Sequence, residues 1–148
     1  MWTSCTVKSE YSFKPKNSVI LNSKEGQTLV HPHSRDAIDS VEGFWIVTDK
    51  DVRRLEDNFK KVTTLKTNYS KLSSLETYAF QYIGVVRNGK KFIYINAFPA
   101  NYAERKDLYT KDWTKQPIIV HDGGNGFWGV LFDVEKQEFS SLSINGSA

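Results

Sequence analysis

The segment Tyr78-Ala79-Phe80-Gln81-Tyr82-Ile83-Gly84-Val85-Val86-Arg87-Asn88-Gly89-Lys90-Lys91-Phe92-Ile93-Tyr94-Ile95-Asn96-Ala97-Phe98 sets two runs of β-branched and aromatic residues on either side of Asn88-Gly89. Asn-Gly is the pair preferred in a two-residue type I′ turn, because both central residues there need positive φ. The turn dictates the register. Arg87 opposite Lys90 places Phe80, Tyr82, Gly84 and Val86 beside Ala97, Ile95, Ile93 and Lys91 on one face. Gln81, Ile83 and Val85 then share the other face with Asn96, Tyr94 and Phe92. Both faces carry apolar side chains, so one helix cannot cover the sheet. Either the sheet curves round its helix and leaves a half-exposed aromatic outer face, or the N-terminal segment or a second subunit covers that face.

Upstream, Thr48 is an N-cap residue with Asp51 three positions on, and Asp49 and Asp51 both suit the positive end of a helix. Val52, Leu55, Phe59 and Val62 follow as one helical stripe, which predicts an amphipathic helix over 49–62. Its other face carries Arg53, Arg54, Asp57, Lys60 and Lys61. Tyr69, Leu72 and Leu75 fit a further helical turn within 63–77. Before the helix, Ser18 to Leu21 reads as an edge strand, Lys24 to Gln27 as a turn, Thr28 to Val30 as its partner or a continued edge, and His31 to Gly43 as loop. After Phe98 comes an irregular connection through Gln116, with Tyr102, Tyr109 and Trp113. Pro117 then opens a strand at Ile118-Ile119-Val120, and Asp122-Gly123-Gly124-Asn125-Gly126 makes a tight turn. Strands over 127–134 and 138–144 close the chain. One early helix followed by strands predicts an α+β fold. The expectation is a single domain over 18–148 behind an N-terminal extension (1–17), with a curved antiparallel sheet of about four to five strands wrapped on one main helix, the cystatin-like arrangement.

With 148 residues, 39% of them hydrophobic, the chain is long enough for one core and too short for two. That composition excludes a disordered, collagen-like or disulfide-built chain. No apolar run approaches the roughly 20 residues of a membrane-spanning helix, and no export signal is expected in the sequence as it stands. A net charge of +3 is spread over short pairs such as Arg53-Arg54, Lys60-Lys61 and Lys90-Lys91, so solvated faces are expected and nucleic acid is not an expected partner. Cys5 is the single cysteine and cannot form an internal disulfide. It is either an inert thiol or the stub of a lipoprotein export sequence trimmed upstream.

Gly43-Phe44-Trp45 leading into Thr48-Asp49-Lys50-Asp51, then Gln81-Tyr82-Ile83-Gly84, Ile95-Asn96-Ala97-Phe98, Asp122-Gly123-Gly124, Phe127-Trp128-Gly129-Val130 and Asn145-Gly146 together resemble a family of small bacterial proteins, many of them exported or lipid-anchored. The likeness covers about 31–148. It implies a bacterial origin and an envelope setting, with a cytoplasmic one as the alternative. It brings no activity, and so no catalytic residues to carry over. Relatives in that family often hold Cys where this chain has His33 and His121, which implies that these two positions lie close together.

On that implication His31, His33 and His121 gather near Asp122, and three imidazoles with a carboxylate resemble a metal shell. No HExxH or CxxC spacing supports a metal, and the alternative is two substituted positions packed at a sheet edge. The glycine run, Asp122 with Gly123 and Gly124, fits a backbone anion cradle or a plain hairpin turn. Nothing marks a nucleophile elbow, and no motif calls for a cofactor. The remaining clue is the aromatic excess of Trp45, Trp113, Trp128, Tyr82, Tyr94 and Tyr102: core duty is the expected fate of most, while an exposed subset, drawn from Trp128, Tyr82, Tyr94 and Trp113, would with the glycine turn make a protein-binding face. Three functions stand open: a non-catalytic envelope module that inhibits or protects a protein partner, a metal-dependent or hydrolytic enzyme centred on the histidines, and a structural homodimer.

Overall fold

The computed structural model describes residues 9–30, 41–67, 72, 74–105, 107 and 111–146. Its strands are β1 (Ser18–Ile20), β2 (Gly43–Trp45), β3 (Tyr78–Arg87), β4 (Lys90–Pro99), β5 (Trp128–Asp133) and β6 (Glu138–Ile144), and its α-helices are α1 (Ser23–Gly26), α2 (Asp49–Glu56) and α3 (Asn101–Glu104). The fold is α+β. Its sheet of six strands is larger than the four to five expected, and short helical pieces stand where one main helix was expected.

The order runs β1-β3-β4-β5-β6, and β2 joins the same side of β3 as β1. Strand β1 lies parallel to 80–82, while β2 lies antiparallel to 84–86. The β3–β4 register matches the one read from the turn, with Arg87 opposite Lys90 and Phe80 opposite Ala97. Asn88 (φ 51°) and Gly89 (φ 73°) take the two left-handed positions. Glu42 then locks the turn, its carboxylate accepting from the backbone N–H of Asn88 at 2.7 Å and of Gly89 at 3.2 Å. Gly84 has no Cβ for a packing reason: one would collide with the carbonyl and indole of Trp45 in β2.

Helix α2 begins as its sequence predicts. Thr48 accepts from the Asp51 N–H, and the Asp51 carboxylate accepts from the Thr48 N–H at 2.9 Å, forming a capping box. Thr48→Ala is expected to lower stability by about 1 kcal/mol in a urea titration, while Thr48→Ser keeps most of it. The helix stops at Glu56 rather than running to residue 62, and a 3-10 segment over Phe59–Thr64 takes its place. Asn58 is the cause at the break, since its amide donates to the Arg54 carbonyl at 2.8 Å and to Gln137 at 3.1 Å in competition with the helical ladder. The apolar stripe survives: Leu55, Phe59 and Val62 are fully buried against Phe80, Tyr82, Ile93, Ile95, Trp128, Val130 and Phe132.

The opposite face of the sheet is covered by its own chain. Leu21, Leu29 and Val30 pack on Ile83, Val85, Tyr94 and Leu131, and the β4–β5 connection brings Ala103, Trp113 and Ile118 onto Ala79, Phe98 and Phe127. In place of a half-exposed aromatic face, that side is covered by residues 21–30, which follow the 1–17 extension, and by the β4–β5 connection. Three local expectations change as well. Residues 24–30 are helical, α1 capped by Asn22 and then a 3-10 segment, so neither the turn nor its partner strand is present. Gly43, read as the end of a loop, opens the strand Gly43–Trp45, where no strand was expected. Ile118–Val120 is not a strand, because side chains satisfy its backbone: Gln81 accepts from the Ile118 N–H, Asn96 donates to the Ile118 carbonyl, and Asn145 to that of Val120.

Candidate functional site

The chain before β1 packs across the helical layer. Phe13 donates its N–H to the Glu56 carbonyl at 2.9 Å, and the Lys60 N–H donates to the Tyr11 carbonyl at 2.9 Å. The Phe13 ring meets Phe59 edge-on at 5.9 Å. Because residues 12–14 are anchored at the end of α2, a groove of about 530 Å³ opens between them and the helix, lined by Ser12, Phe13, Lys14, Lys50, Arg53, Arg54, Glu56 and Asp57. That volume lies within the range of ligand pockets.

Lys50, Arg53 and Arg54 stand at i, i+3 and i+4 and so neighbour one another on one helical face, with Lys14 on the other wall. Among the described residues none of these four cations has a carboxylate within 4.0 Å; the ion pairs found are Lys16–Glu104 and Arg105–Asp107. Four cations thus face two carboxylates, Glu56 and Asp57. Partial burial holds the Glu56 carboxyl above its ordinary range, against the opposing pull of Lys14 and with a push from Asp57 that Arg53 counters. A group whose native pKa is raised adds stability that is whole below its unfolded value and is lost as pH rises through the native one. Glu56→Gln is therefore expected to gain on the native sequence, in urea midpoint, as pH climbs from below 4.5 towards neutrality. A difference between the two that stays flat with pH would refute this.

The sequence-derived binding residues fall elsewhere. Trp128 and Tyr94 are 0% exposed, Tyr82 1% and Trp113 9%, so these rings are core and form no contact face. The Trp128 ring packs edge-on against Tyr78 at 5.4 Å and Phe80 at 5.9 Å. Burial drives the Tyr82 hydroxyl well above the ordinary phenol range, with the Glu56 charge adding to it.

Gly123 (φ 96°) and Gly124 (φ 61°) do need their conformational freedom, and Gly124 donates to the Gly146 carbonyl at 3.2 Å. The run ends in a 3-10 turn that enters β5, so it does not deliver backbone N–H groups to a helix start as phosphate loops do. With no strand before it, it is not a hairpin turn either. Asp122 is exposed, and its carbonyl accepts from the Asn145 amide at 3.0 Å. His121 is also exposed, and no group of three metal-ligating side chains forms among the described residues. His31, His33 and Cys5 lie outside the described residues, and with them the expected closeness of His33 to His121.

The basic groove lies where the sequence predicts a solvated face for Arg53 and Arg54. The i, i+3, i+4 spacing from Lys50 is visible in the sequence; the second wall is not, because the tertiary pairing of Tyr11 with Lys60 and of Phe13 with Glu56 brings Lys14 there. A further polar site, Gln81 with Asn96, lies wholly inside and serves the fold. No family model, curated protein or solved structure matches the chain.

Proposed function

We propose that the chain is a non-catalytic binding module of the bacterial envelope that inhibits or protects a protein partner, and that the partner docks in the groove between residues 12–14 and α2. The observation that carries this reading is the group of four cations around a partly apolar groove, with no carboxylate within 4.0 Å among the described residues. Side chains held in this way keep their hydrogen-bonding capacity for a ligand, and arginine in particular suits the planar carboxylate. The envelope setting rests on the likeness to exported bacterial proteins. The cystatin-like wrap of a sheet on one helix is not required by it.

Affinity capture from envelope and cytoplasmic fractions of the host, read by mass spectrometry, tests the reading. A stoichiometric partner held by the native chain and lost by the Arg53→Glu, Arg54→Glu double variant is the expected result. Both side chains are exposed, so the substitution spares the core. A partner retained equally by the double variant, or no partner from either fraction, would overturn it.

A further inference from the structure

Resting on that reading, we infer that the occupant of the groove is an acidic peptide segment of the partner, with an apolar side chain between two carboxylates.

The lining carries four cations and two carboxylates, an excess that two acidic side chains would balance. A uniform polyanion would set some of its charge against Glu56 and Asp57, whereas a peptide can place its acids on the cations and keep neutral backbone beside the carboxylates. Phe13 supplies the apolar contact: it is half-buried, and its ring is held against Phe59. A residue inserted between the two acids would reach it. Length agrees as well. From Lys50 to Asp57 the helix rises about 10 Å at 1.5 Å per residue, which is close to three residues of extended chain at about 3.3 Å each. Arginine forks on the helical wall and the Lys14 ammonium on the other wall then allow the two carboxylates to be held from opposite sides.

Fluorescence anisotropy with the whole chain tests this. The probe is a fluorescein-labelled peptide carrying phenylalanine between aspartate and glutamate; one control replaces the phenylalanine by glycine, and the other replaces both acids by lysine. The acidic peptide is expected to bind at least about tenfold more tightly than either control, to weaken about tenfold or more with Arg53→Glu, Arg54→Glu, and to weaken with added salt. Lys14→Glu, on the opposite wall, should do the same and serves if the helix variant fails to fold. Equal binding of the lysine peptide, or undiminished binding by both variants, would overturn the inference. So would inorganic tripolyphosphate binding more tightly than the peptide with the same sensitivity to the variants, since the groove would then be a small-anion site. The two claims fail separately: a captured partner with no acidic-peptide binding removes the peptide and leaves the module, and peptide binding with no captured partner does the reverse.

Discussion

Gln81→Leu is expected to lower the stability of the chain by about 4–6 kcal/mol, because one buried amide holds four hydrogen bonds that no hydrocarbon can replace. Its Nε2 donates to the Trp113 carbonyl at 2.6 Å and the Gln116 carbonyl at 2.7 Å. Its Oε1 accepts from the Asn96 amide at 3.1 Å and the Ile118 N–H at 3.0 Å. With Gln81 fully buried, these partners would be left without their acceptor or donor inside the protein. Each of the three buried partners left orphaned costs roughly 1–3 kcal/mol, the partly buried Gln116 carbonyl adds less, and the four are coupled, so the total falls short of their sum. Against a total stability of about 5–15 kcal/mol such a loss is severe. Urea unfolding gives the magnitude. Limited proteolysis gives the place, since cleavage should begin in the β4–β5 connection. A loss below about 1.5 kcal/mol would mean that the connection satisfies its backbone by other means.

Trp128→Ala ranks next, at about 4 kcal/mol. The indole is fully buried in the core cluster that also holds Leu55, Phe59 and Val62, edge-on to Tyr78 and Phe80, and its removal opens a cavity those rings cannot fill. A binding residue would behave in the opposite way, keeping the urea midpoint and losing partner affinity. Trp128→Ala is expected to move the midpoint strongly; a variant as stable as the native chain would place the ring outside the core.

The parts of the fold legible in the sequence are those where local chemistry decides. Asn88-Gly89 specified a turn and with it the whole β3–β4 register, and Thr48 with Asp51 specified the start of α2. What escaped depends on distant partners. Three residues are too few to show a period, so β2 had no strand signature, and its existence follows from the free side of β3. Ile118-Ile119-Val120 has strand composition, yet the Gln81, Asn96 and Asn145 side chains take its backbone groups before any strand can. The aromatic residues were misread for a related reason. The register put Tyr94 on the face opposite Phe80 and Tyr82, but the segment that buries it, Leu21 to Val30, has no local pattern that announces where it packs. The groove was half legible: the spacing of Lys50, Arg53 and Arg54 is written in the helix, and Lys14 joins them only through tertiary pairing.

The parallel pairing of β1 with residues 80–82 also bears on how the chain is made. Synthesis reaches Val19 and Ile20 about 60 residues before their hydrogen-bonding partners exist. At about 5–20 residues per second that is a wait of roughly 3–12 s for a strand with no neighbour. Strands β3 to β6, by contrast, meet their neighbours in sequence order as a meander. On the ribosome the edge that is written first is therefore completed only after β3 has emerged, and until then the nascent chain carries that short apolar segment unpaired.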